Sequence, residues 1–241
     1  MRDTSAVLFY FFALSHRADA PSYGCTAKNE LMTGKHEWRK EDKALYLPKT
    51  EPELITIPAQ KFFQVSGTGN PNTSPAFAEN IGILYALSYA VRMMPKQGYT
   101  PEGFEPYTVY PLEGVWGLVD PAAGIEDKNN FSYTLMIRQP GFVTEEIAGR
   151  AADAVRKKKP DVAVDKAVFS ETEDGLSVQM MHTGPYDDEP ASFARMAQFL
   201  SEQNLERRTL LHREIYLSDA RRTSPEKQKT VLRWTVRQIP E

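Results

Sequence analysis

The sequence predicts an α+β protein: two tandem strand-helix-strand-strand modules related by a pseudo-twofold axis around a central cleft. Three observations predict it. A fifteen-residue stretch of the first half aligns with one in the second at five identical positions, the elements that follow each copy come in the same order, and each copy sets one glutamate among aliphatic and aromatic residues of a strand.

The repeat aligns "FFQVSGTGNPNTSPA" (Phe62 to Ala76) with "SVQMMHTGPYDDEPA" (Ser177 to Ala191) at a constant offset of 115 (177 less 62), matching Gln, Thr, Gly, Pro and Ala without a gap. Each copy begins strand-like, turns at Thr-Gly and enters a helix through a residue followed by Pro, which suits the first turn. Ser74 is a good N-cap for the first helix. Phe77, Ile81, Leu84, Leu87 and Val91 then recur at three- and four-residue intervals, as do Phe193, Met196, Phe199 and Leu200 in the second copy, so both helices are one-sided.

Two strand candidates follow each helix: Tyr107 to Val119 and Phe131 to Gln139, then Thr209 to Leu217 and Lys229 to Gln238. "MIRQP" and "TVRQIP" end the two copies alike, pairing Arg138 with Arg237 and Gln139 with Gln238. One such unit is too small to bury its own apolar face, so the two close a core together. Module one covers about 50–140 and module two about 164–239. Between them "TEEIAGRAADAVRKKKP" carries acids first, bases last and a final Pro, the charge order of a linking helix over about 143–159.

Composition bounds the function. With 41% hydrophobic and 25% charged residues the chain matches ordinary globular proteins. A formal charge of −3 gives no field to hold nucleic acid or an anionic membrane, so neither is an expected partner. The lone Cys25 and four scattered His residues suggest no disulfide, metal or cofactor. The run "AVLFYFFAL" (Ala6 to Leu14) before "ADA" looks like a signal peptide, but Arg2 is offset by Asp3 and the run is too short to span a bilayer. The expected reading is a cytoplasmic protein with residues 1–36 an extension outside the fold and 37–241 the domain; the alternative is export, with residues 1–20 as the signal.

Side chains two apart on a strand share a face, which puts His212, Glu214 and Tyr216 together. Glu113 and Trp116 are three apart and should oppose each other. A bulge at Gly114 would return Trp116 to the face of Glu113, so that each half offers one carboxylate beside one ring. Both acids would then face a shared cleft with Tyr110, Tyr186 and Trp234 as further lining. Such a pocket suits planar, lipophilic, often cationic molecules: at about 4 Å and an effective dielectric near 20 one acid attracts a cation by on the order of 4 kcal/mol, and a ring face adds about 0.5–2 kcal/mol. The plainer alternatives are that the glutamates are exposed or pair with Arg213 and Arg233, and that the aromatics are core. His212 reads more simply as a satisfied strand histidine than as a base. "SGTGNPN" lacks the Lys and spacing of a phosphate loop and reads as a turn.

The stretches "WRKEDKALYLPKTEPELITIPAQKFFQVSGTGNPN", "VYPLEGVW", "HTGPYDDEPASF" and "HREIYLSDARRTSPEKQKTVLRWTVR" together resemble the GyrI-like small-molecule-binding proteins, in the stand-alone branch without a DNA-binding module. The likeness covers about residues 37–241. It implies two strand-helix-strand-strand modules about a central ligand cleft, and a ligand-contacting acid in the "EIYL" strand, here Glu214. A subset of the family consists of cyclopropanoid cyclopropyl hydrolases, which open the strained ring of DNA-alkylating natural products inside an aromatic cage. For that chemistry Glu113 or Glu214 would be the base that activates water, Tyr186 or Tyr216 the donor to the developing oxyanion, and Trp116 and Trp234 the rings that hold the substrate.

The leading expectation is therefore a soluble xenobiotic-binding protein that extends to hydrolysis of cyclopropanoid alkylators. The alternatives are a sequestering module without turnover and a gyrase-inhibitor-like protein-interaction module. A transcription factor is disfavoured, since residues 1–36 lack a helix-turn-helix pattern.

Overall fold

A computed structural model describes residues 34–219 and 222–240. The apolar run at Ala6 to Leu14 and Cys25 lie outside the described residues. Two single-turn helices, α1 (Trp38–Glu41) and α2 (Lys43–Tyr46), open the fold. They are followed by β1 (Glu53–Ile57), β2 (Gln60–Thr68), α3 (Pro75–Met93), β3 (Leu112–Leu118), β4 (Phe131–Gln139), α4 (Glu145–Lys158), β5 (Val168–Thr172), β6 (Gly175–Thr183), α5 (Glu189–Glu202), β7 (Leu205–Arg207), β8 (His212–Tyr216) and β9 (Lys229–Gln238).

The strands form one antiparallel sheet in the order β1-β6-β9-β8-β3-β4-β2-β5, with β7 added against β9. Each half leads with a short strand that crosses over: β1 pairs β6, and β5 pairs β2. The halves meet at the β3·β8 ladder in the middle of the sheet.

β4 and β9 match their expected bounds, while β3 and β8 are shorter than the spans Tyr107 to Val119 and Thr209 to Leu217. Proline shortens the first: Pro111, just before Leu112, lacks the N–H that a ladder needs. The linking helix α4 starts at Thr144, whose hydroxyl accepts from the Ile147 N–H at 3.3 Å. Ser74 stands at the N-cap of α3 without making the side-chain bond expected of it.

Cross-strand partners share a sheet face, which assigns both surfaces of the sheet. Phe63, Val65, Trp116, Tyr133, Leu135 and Ile137 lie on one face and pack with Phe77, Ile81 and Leu84 of α3. The same face of the other half carries Val178, Met180, Leu232 and Trp234 against Met196 and Leu200 of α5. The opposite face carries Glu113, Arg213 and Arg233, and the segment containing α1 and α2 lies across it: Gln179 Nε2 donates to Ala44 O at 2.7 Å and Arg233 to Leu45 O at 2.8 Å.

His36, expected in the extension, is bonded to the rest of the fold. His36 accepts at its carbonyl from Thr108 N–H and donates its own N–H to Pro106 O, while its ring sits 2.9 Å from both Glu41 and Asp42. No helix among the described residues is long and apolar enough to cross a membrane.

Candidate functional site

Glu214 and Glu113 do not converge, which corrects the expectation of a shared two-acid cleft. β3 runs one-to-one against β4 from Leu112↔Ile137 to Leu118↔Phe131, so Gly114 makes no bulge. Against β8 the register sets Gly114 opposite Glu214, Trp116 opposite His212 and Glu113 opposite Ile215. Trp116 therefore reaches the face of Glu214 by ordinary alternation, and the same alternation sends Glu113 through to the other side of the sheet.

Glu113 is 1% exposed and fully engaged there. Its Oε2 accepts from Arg213 at 2.8 Å and its Oε1 from the Tyr46 hydroxyl at 3.3 Å. Arg213 also donates to Asp174 at 2.8 Å and to Met136 Sδ at 2.9 Å. Burial works to lower the Arg213 pKa, but Glu113 and Asp174 hold it above its usual value. The neighbouring Arg233 is pushed below its ordinary value by burial and by Arg213. This is a closed ion-pair network, the plainer reading of Glu113, and it buries that carboxylate against a fixed cation on the face away from Glu214.

The helix-covered face carries a different arrangement. The Trp116 Nε1–H donates to the Tyr216 oxygen at 2.8 Å, and the Tyr216 hydroxyl donates to Glu214 Oε2 at 2.8 Å. His212 Nε2 sits 2.9 Å from the other oxygen, Oε1. Gly114 is required for this relay. A Cβ there would stand 2.7 Å from Trp116 Nε1 and 3.2 Å from the Tyr216 hydroxyl, so only a glycine lets the indole bend over the strand.

Around the relay, Tyr186 meets Tyr216 edge-on at 6.0 Å and Phe77 lies 5.8 Å from Trp116. Phe193 of α5 meets His212 edge-on at 5.0 Å. The strip thus lies between α3 and α5, floored by β3 and β8. The Glu214 side chain keeps 12% of its exposure and that of His212 25%, so solvent reaches both.

Burial, with Glu214 next and Glu189 after it, pushes the Tyr186 phenol far above its usual value; burial and Glu214 do the same to Tyr216. Both phenols keep their protons, and Tyr216 donates its own to Glu214.

Two expected residues stand elsewhere. Tyr110 lies on the opposite side, its hydroxyl 3.1 Å from His36 Nε2 and its ring under the Arg138 guanidinium at 4.6 Å. Trp234 shares the sheet face of Glu214, yet it is stacked on Phe193 (5.4 Å, 9°) and covered by Arg207 at 4.3 Å, so it packs the second core cluster.

The sequence reading missed Glu189. It opens α5, is 6% exposed and faces the Glu214 strand, since Tyr186 just before it meets Tyr216 and Phe193 one turn on meets His212. Burial first, then Glu214 and Asp187, raise its carboxyl well above the usual carboxylate range. The signal was present: the repeat aligns Glu189 with Ser74, an acid in the place of a cap residue.

The model of the GyrI-like family, described as a small molecule binding domain, matches residues 50–237. Solved structures from Listeria innocua superpose well. A hydrolase encoded by lin2189 is 37% identical with a TM-score of 0.79, covering 85% of this chain and all of its own. An uncharacterized conserved protein is 39% identical with a TM-score of 0.79, covering 84% of this chain and all of its own. No curated protein sequence matches.

Proposed function

We propose a function from one established premise: the chain belongs to the GyrI-like small molecule binding domain family. It binds planar, lipophilic, cationic molecules in a cleft between α3 and α5, with Glu214 as the countercharge and Trp116, Tyr186 and Tyr216 as the ring lining. The observation that carries this reading is the Trp116-to-Tyr216-to-Glu214 relay, because it fixes a carboxylate among ring faces with no lysine or arginine paired to it among the described residues. A cation entering there gains from Glu214 and from the rings together, in a medium less screened than water.

The strand order supports the idea that the cleft sits on a pseudo-twofold axis between duplicated halves. From either end the path runs edge strand, first module strand, then the two strands toward the centre, with β3 and β8 meeting in the middle.

The reading extends to hydrolysis of strained cyclopropane rings in conjugated alkylators, and the hydrolase name of the Listeria relative favours this branch. Glu214 takes the proton of the attacking water, since its carboxylate is held by neighbours and its strip is open to solvent. The water oxygen bonds to a ring carbon, the carbon–carbon bond breaks toward the conjugated carbonyl, and the Tyr186 hydroxyl supports the oxyanion that forms. Glu113 has no part in this chemistry, being across the sheet. Incubation with a large excess of a cyclopropane-containing alkylator tests it. The proposal expects ring-opened product well beyond one equivalent and its loss in Glu214→Gln; product capped at one equivalent leaves a binding protein.

A further inference from the structure

Glu189 and Glu214 are two carboxyl groups buried to 6% and 9% exposure, brought to one place because Tyr186 before Glu189 meets Tyr216 and Phe193 after it meets His212 on the Glu214 strand. Burial and the neighbouring Glu214 both disfavour charge on Glu189 and raise its carboxyl well above the usual carboxylate range, which favours a proton there. Among the described residues no lysine or arginine pairs with either. Glu189 Oε1 is buried without any partner, which is where a carboxylic acid is far cheaper than a carboxylate.

The surrounding titratable groups are few. β8 presents His212 and Tyr216, β3 only the indole of Trp116, which does not titrate, and the turn before α5 presents Tyr186, Asp187 and Asp188. Asp187 is 3.8 Å from Lys128. From β6 comes His182, whose ring is held by Ser192 Oγ at 2.9 Å and Pro185 O at 3.1 Å. β9 contributes the uncharged Thr230, Leu232 and Trp234 to this face.

We propose that Glu189 and Glu214 form a dyad that holds one proton in the ligand-free protein and releases it to solvent when a lipophilic cation binds, so that the site exchanges a proton for its ligand. This rests on the α3–α5 strip being the ligand site. The balance is simple: the Glu189 O–H bond breaks, the proton passes to buffer, and the cation replaces its charge beside two carboxylates. Ligand affinity is then set by pH as well as by shape, rising by up to about tenfold per pH unit while the dyad titrates.

Two measurements test it and separate its failure from that of the binding reading. Infrared spectroscopy of the ligand-free protein reads the dyad directly. A protonated carboxylic C=O band at neutral pH, absent in Glu189→Gln, is expected; no such band in the wild type overturns the dyad whatever binds. Should Glu189→Gln fail to fold, titrating the wild-type band with pH decides the same point. Calorimetry with tetraphenylphosphonium, a cation with no proton of its own, in two buffers of different ionisation enthalpy then counts protons. Release approaching one proton is expected for wild type and none for Glu189→Gln, whose side chain carries no ionisable proton. Binding without release, or equal release from both proteins, overturns the exchange. No binding at all sinks the cleft reading, and the exchange with it, while the band still decides the dyad.

Discussion

Glu113 and Glu214 stand one ladder position apart on neighbouring strands, and the sheet between them divides two ways of burying an acid. Glu113 is neutralised by a fixed cation: Arg213, itself shared with Asp174, closes the network on one face. Glu214 on the other face has no lysine or arginine partner among the described residues; it is held by the Tyr216 phenol and His212. A fixed cation makes a carboxylate structural, because any ligand must compete with a covalently tethered guanidinium. Polar donors keep the charge in place and leave its field unspent, which is what a site for cations requires.

The largest effect should come from breaking the fixed pair. Arg213→Met leaves Glu113 and Asp174 buried without their cation and should cost about 3–5 kcal/mol, read as a lower urea midpoint. If the two faces differ as argued, Glu214→Gln leaves the fold intact and weakens tetraphenylphosphonium binding at least tenfold, about 1.4 kcal/mol. Equal destabilisation by both substitutions would erase the distinction. Gly114→Ala forces Trp116 off the Tyr216 hydroxyl and should cost about 1–3 kcal/mol by overpacking, with ligand affinity falling alongside.

A smaller effect concerns pH. The folded protein holds the Glu189 proton more tightly than the unfolded chain, whose glutamate titrates near 4.5. Stability from this group is full below that value and is lost as pH rises through the raised folded value. Urea midpoints across that window should therefore fall in wild type relative to Glu189→Gln, whose profile is flatter.

Much of this was legible in the sequence. The repeat placed α3 and α5 and the strands β2 and β6, and period-two reasoning grouped His212, Glu214 and Tyr216 correctly because β8 is regular. It failed at Gly114, where a glycine in a strand has two meanings. Here it makes room for a ring lying across the strand, and no local pattern separates that from a bulge. The supposed repetition of the acid failed with it: the position facing Glu214 across the ladder is Gly114 itself. Glu189 was hidden because its role depends on α5 docking beside β8, a contact between residues 25 positions apart (214 less 189). Tyr110 and Trp234 stand apart from the relay for a related reason, since aromatic content says nothing about which cluster a ring packs into.

The central claim is one of sides. A crystal structure with an aromatic cation bound tests it most directly, because the back of the sheet offers a rival depression of about 440 Å³ lined by Ser66, Val115, Thr134 and Leu211. The account predicts the ligand against Trp116 and Tyr216 with its charge toward Glu214; a ligand seated in the back depression, with the α3–α5 strip undisturbed, would contradict it.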